Sequence, residues 1–90
     1  MTLPTIHLNG TDATTLLGDA INAMDALRAA IEALDKTAPN GRDYYPQGGD
    51  ALGLAFGEYL LRRDSLCNVL KELEQIAEYL SDKAVQLNRL

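Results

Sequence analysis

The 90-residue chain has one cysteine, one histidine, three prolines and no tryptophan. With Cys67 alone, no intrachain disulfide can form, and nothing marks the protein for an oxidising compartment. His7 is flanked by Ile6 and Leu8, with no carboxylate or thiolate at a metal-ligand spacing, so neither a metal site nor a bound cofactor is expected. Gly48-Gly49 has no lysine behind it and no strand ahead of it, which excludes the standard nucleotide-hydrolase loop. No stretch approaches the roughly 20 apolar residues of a membrane span. The opening MTLPTIHLNG lacks a basic segment followed by an apolar run, so the cytoplasm is the expected location.

Basic residues are the minority, 8 against 13 acidic ones, for a formal net charge of −5. That balance argues against non-specific binding to nucleic acid or an anionic membrane, since both reward clustered Lys and Arg. The acids are interleaved with bases along both halves, which also argues against a DNA mimic.

Apolar residues, by contrast, make up 47% of the chain. A chain this short hides only about 60 to 65% of its unfolded surface, so a lone copy is marginal and a partner surface is expected. Leu17, Ala20, Met24, Leu27, Ile31, Leu34 and Ala38 alternate spacings of three and four, which predicts an amphipathic helix over 11–38, capped by Thr11 or Asp12. Pro39-Asn40-Gly41 stops it. A second helix is predicted over 50–88, with Asp50 as its cap and a seam running from Leu52, Phe56 and Tyr59 through Leu66 to Leu80 and Leu87. Arg63 interrupts that seam; its stem is expected to pack there with its head near Asp25. Cys67 reads as a small buried hydrophobe.

At about 1.5 Å per residue the second helix outruns the first by roughly 15 Å. An antiparallel pairing is expected to leave Ile76, Tyr79, Leu80 and Leu87 overhanging, covered by an extended, strand-like arm over 1–10 or by a second chain. Gly49, Gly53 and Gly57 recur every four residues, either as a fraying first turn or as a face that another backbone or a flat ligand approaches closely. The predicted fold is all-α: an antiparallel helical hairpin with a short extended N-terminal segment, assembling into a helical-bundle homo-oligomer.

The connection over 39–49 is longer than a turn between helices needs, and its content bears on function. Arg42 offers a planar fork for phosphate, Tyr44 and Tyr45 offer flat faces for a base, and Asn40, Asp43 and Gln47 offer polar edges. Pro39 and Pro46 stiffen the loop, which lowers the entropy lost on binding. The plain structural reading is that the tyrosines plug the end of the bundle and Arg42 bridges to Asp43 or Asp50. An enzyme is not predicted, because no histidine or second carboxylate is fixed beside Asp43.

His7-Leu8-Asn9-Gly10-Thr11 and Pro39 through Gly48 resemble the two signature stretches, HLNGT and PNGRDYYPQG, of a family of small helical proteins encoded by tailed phages and prophages. The order of elements is similar over nearly the whole chain, although the helices match only in pattern. The resemblance implies a phage gene expressed in a bacterial cytoplasm. In that setting the loop is expected to serve a sponge for a nucleotide immune messenger, a cyclic ADP-ribose isomer or a cyclic dinucleotide. Arg42 would then meet phosphate, Tyr44 or Tyr45 would stack on the base, and Gly49 and Gly53 would admit the ligand to the helix start. His7 and Asn9 lie at the far end of the hairpin and are expected to join that site only across chains. The alternatives are a structural or adaptor role and direct inhibition of a host defence protein.

Overall fold

Asp12 begins the first helix, α1 (Ala13–Asp35), as its N-cap: its carboxylate accepts from the Thr15 amide at 3.1 Å and from the Thr15 hydroxyl at 2.7 Å. These bonds satisfy an amide that has no partner within the helix, and they hold the Asp12 carboxyl below its ordinary range. The helix ends three residues before the predicted Ala38. Lys36 and Thr37 donate their amides to Ala33 and Leu34 three residues back, and the Thr37 hydroxyl also donates to the Leu34 carbonyl at 2.7 Å, so the last turn tightens and closes.

The chain then forms a one-turn helix, α2 (Gly41–Tyr44), a 3-10 turn over Tyr45–Gln47, and a long helix, α3 (Ala51–Asn88). The computed structural model describes the backbone of residues 1–88 and the side chains of residues 1–86. Leu87, predicted as the last seam position, lies outside the described side chains. Among the described residues 77% are helical and none is in a strand. The N-terminal arm is therefore irregular rather than strand-like, and among the described residues no helix is long and apolar enough to cross a membrane.

Helices α1 and α3 lie side by side and run in opposite directions. Asp35 at the end of α1 bonds to Tyr59 and Arg63, Arg28 lies 3.8 Å from Glu74, and Tyr79 donates its hydroxyl to the Pro4 carbonyl at 2.9 Å. Residue numbers thus fall along α1 as they rise along α3. This register corrects the expectation that Arg63 would meet Asp25; Asp25 instead pairs within its own helix with Arg28 at 3.3 Å.

It also moves the overhang to the other end of the molecule. With Asp35 level with Tyr59 and Arg63, the first two turns of α3 project beyond α1 at the connection, while Ala77 and Leu80 are buried. Helix lengths give only the difference between the two rods, about 20 Å at 1.5 Å per residue. The connection settles which end receives it: α2 folds back against the projecting turns, so that a Cβ on Gly41 would sit 3.9 Å from Leu52 Cδ2.

The result is a rod of 65 × 21 × 19 Å with a radius of gyration of 19.4 Å, against about 12 Å for a compact chain of this length. Its interior is thin. The buried residues are Ala13, Ala20, Ile31, Ala55, Tyr59, Ala77 and Leu80, so alanine dominates and the helices close on small side chains.

Candidate functional site

The connection owes its shape to two devices legible in PNGRDYYPQGG. Asn40 caps α2, accepting from the Asp43 amide through Oδ1 at 3.1 Å while its Nδ2 donates to the Asp43 carboxylate at 3.0 Å. That reciprocal pair, a variant of the capping box, turns four residues into a helix. Pro46 then sits near the start of the 3-10 turn, where its missing amide costs nothing. Gly48 (φ 71, ψ −178) and Gly49 (φ 56) reverse the chain into α3. A side chain at either would meet open space, so the backbone conformation, not crowding, calls for glycine there. Asp50 follows, its carbonyl accepting from the Leu54 amide at 2.9 Å as α3 begins.

These turns enclose an open cleft of about 300 Å³ lined by Gly41, Tyr44, Tyr45, Gly48, Gly49 and Leu52. The two adjacent tyrosines differ in exposure: Tyr44 is half-buried, whereas Tyr45 is 77% exposed. The Arg42 guanidinium is exposed and forms no ion pair among the described residues, so neither Asp43 nor Asp50 neutralises it. The cleft therefore offers a flat face, an apolar floor at Leu52 and a free cation on the adjacent turn.

Of the residues predicted as a site, Tyr44, Tyr45 and Gly49 line this cleft together. Arg42 and Gln47 lie exposed on the same segment without lining it. Asn40 and Asp43 are bonded to each other and position α2. Gly53 faces open space on α3, outside the cleft. Gly41, Gly48 and Leu52 line the cleft without having been predicted; Leu52 was read as a seam residue, and only the fold-back of α2 redirects it.

His7 and Asn9 sit beyond the opposite end of α1, about 35 Å away by helix rise. There the His7 ring lies over Gly10, with Nε2 2.8 Å from where a Cβ would stand, and the Gly10 amide donates to the His7 carbonyl at 3.1 Å. A second, apolar hollow of about 380 Å³ is lined by Ile6, His7, Leu8, Gly10 and Asp12. Within one chain the two signature stretches do not meet.

The strongest polar cluster lies between these ends. The Asp35 carboxylate accepts from the Tyr59 hydroxyl at 2.6 Å and from Arg63 Nε at 2.9 Å, and Arg63 Nη1 stands 3.6 Å from the Cys67 sulfur. The Arg63 bond, then the Tyr59 bond, holds the Asp35 carboxyl below its usual value; the same carboxylate pushes the Tyr59 phenol up. Cys67 is half-buried beneath this arginine rather than enclosed as a hydrophobe. The cluster joins the two rods and lines neither the cleft nor the apolar hollow, although Arg63 also borders an open hollow of about 270 Å³ on α3 with Gly57, Leu60, Leu61 and Asp64.

Compared with protein-family models, curated proteins and solved structures, the chain finds no match.

Proposed function

We propose that the chain is a helical hairpin that assembles with copies of itself and acts as a non-enzymatic binding protein, taking a small anionic nucleotide at the Tyr44–Tyr45 cleft. One observation carries the reading: Tyr45 keeps its ring in solvent at the cleft while Arg42 beside it stays unpaired. A turn that served only to plug the bundle would bury its aromatic rings and neutralise its arginine. Stacking on an exposed phenol ring favours a base, and the guanidinium fork favours its phosphate.

About 300 Å³ is at the lower end of small-molecule sites, enough for one base rather than a whole dinucleotide. The phosphate would lie along Arg42 and the first amides of α3 after Gly49. Joined to the phage setting implied by the two signature stretches, this chemistry points to sequestration of a nucleotide immune messenger, a cyclic ADP-ribose isomer or a cyclic dinucleotide, in the host cytoplasm. The ligand is held, not converted.

Calorimetric and thermal-shift titration with a panel of cyclic and linear nucleotides tests this. A ligand at 100 times its dissociation constant stabilises the fold by about 2.7 kcal/mol, and mass spectrometry should recover it unchanged. A panel that leaves the melting transition unmoved removes the nucleotide reading; a chemically altered nucleotide removes the non-enzymatic one.

A further inference from the structure

Two of the five asparagines precede glycine, in Asn9-Gly10 and Asn40-Gly41. Asparagine is labile in water because the amide nitrogen of the next residue attacks its side-chain carbonyl carbon, and glycine, with no Cβ, leaves that approach most open. Asn22 and Asn68 are followed by Ala23 and Val69 and lie inside α1 and α3, where helical hydrogen bonds hold the backbone. The two Asn-Gly pairs are held very differently. Asn40 is locked at both ends of its carboxamide: Oδ1 accepts from the Asp43 amide at 3.1 Å, and Nδ2 donates to the Asp43 carboxylate at 3.0 Å. Attack also requires the following nitrogen to turn until it eclipses Cβ, a large rotation from the Asn40 ψ of 159 that would unwind α2.

Asn9 has no such restraint. It is exposed, and its carboxamide forms no hydrogen bond among the described residues. It stands outside every helix, in a turn closed by a single bond from the Gly10 amide to the His7 carbonyl at 3.1 Å, so opening that one bond frees the backbone to rotate. A Cβ on Gly10 would stand 2.8 Å from His7 Nε2. The ring therefore keeps its place only against glycine, the residue that leaves Asn9 most open to attack.

We propose that Asn9 is a site of spontaneous deamidation in the folded chain, through a cyclic imide with Gly10, and that the α2 cap protects Asn40 from the same reaction. The Gly10 nitrogen bonds to Asn9 Cγ, the Cγ–Nδ2 bond breaks, and the proton given up by the Gly10 amide passes through solvent to the departing ammonia. Water then opens the imide on either side, giving an aspartyl or an isoaspartyl linkage with one carboxylate. No oxidant or reductant takes part. Either product makes the chain one charge more negative than its formal −5. The isoaspartyl form also adds a methylene to the backbone between His7 and Gly10, which disrupts the bond that closes the turn. The inference goes beyond the binding role proposed above and is independent of the ligand.

Incubation of the full chain in native buffer at mildly alkaline pH tests it, with peptide mapping by mass spectrometry and enzymatic methylation of isoaspartate following both sites in one sample. Asn9 should convert first, and Asn40 at least about tenfold more slowly, because Asn40 reacts only from molecules whose cap has opened. In denaturant, where both asparagines precede glycine in an open chain, the two rates should converge. Asn9→Gln, at an exposed position, should keep its helicity and lose the early acidic shift of the intact chain on ion exchange. The proposal is overturned by equal rates at the two sites in a chain that retains its helicity, or by conversion of Asn40 ahead of Asn9. It is equally overturned by a rate difference that persists in denaturant, or by an Asn9 that survives in native buffer as long as Asn22 and Asn68.

Discussion

Asp35, the last residue of α1, and Arg63, a third of the way along α3, face each other with Arg63 Nε 2.9 Å from Asp35 Oδ1 and a longer second contact of 3.4 Å from Nη2. This two-pronged contact, with Tyr59 donating to the same carboxylate, fixes the register of the two rods. A slip by one helical turn would take the carboxylate out of reach of at least one of its two donors.

The pH dependence of stability follows from that cluster. Asp35 is held below its ordinary value of 3.8, so its contribution is complete above the unfolded pKa near 4 and is lost as pH falls through the lower folded value. Tyr59 is raised above 10.0, so its contribution is complete below that value and is lost as pH rises through the raised one. Asp35→Asn should lower the melting temperature at neutral pH, and its deficit relative to the parent should shrink in acid. A deficit constant from pH 7 down to pH 2 would contradict this assignment.

Among the described residues Leu80 is the one large side chain fully enclosed, at 1% exposure, next to Tyr79, which fastens the N-terminal arm at Pro4. Leu80→Ala should cost about 2 to 5 kcal/mol through lost transfer energy and the cavity left behind. Tyr79→Phe, which removes one hydrogen bond but keeps the ring, should cost about 0.5 to 1.5 kcal/mol. Chemical denaturation measures both, and the reverse order would mean that the arm, not the helix contact, dominates that end.

Gly48 holds a backbone conformation that L side chains rarely adopt. Gly48→Ala should destabilise by about 1 to 3 kcal/mol from strain alone, since the added methyl meets no neighbour. Gly53→Ala, inside α3 and facing open space, should instead stabilise the isolated chain by about 0.8 to 1 kcal/mol. Thermal unfolding of the two variants side by side separates conformation from crowding.

Binding should divide the adjacent tyrosines. Tyr45→Ala should weaken nucleotide affinity by about 1 to 3 kcal/mol with little change in melting temperature, because its ring stands in solvent. Tyr44→Ala should lower stability as well, since that ring is half-buried. Arg42→Ala should weaken binding and flatten its salt dependence. Calorimetry at two ionic strengths provides the readout, and full binding by the Tyr45 and Arg42 variants would exonerate the cleft.

Much of the candidate site could be read in the letters. Tyr44, Tyr45 and Gly49 come from the predicted stretch, and the Asp12 cap lies three residues from its target; Asn40, expected to offer a polar edge to a ligand, instead caps α2, a helix not expected within the loop. Leu52 and Gly41 could not be read, because they join the cleft only when α2 folds back onto α3. Arg63 was legible as a misfit in an apolar seam, but its partner was not, since Asp25 and Asp35 differ only by a register that no local pattern encodes.

The sequence by itself determined two amphipathic helices, the Asp12 cap of the first and the breakers between them, because periodicity, capping and left-handed glycines act within a few residues. Only the tertiary structure decided which carboxylate meets Arg63, which end of α3 projects and which tyrosine stays in water. Those outcomes depend on how two rods of unequal length slide past each other, and the sum of contacts far apart in sequence fixes that position.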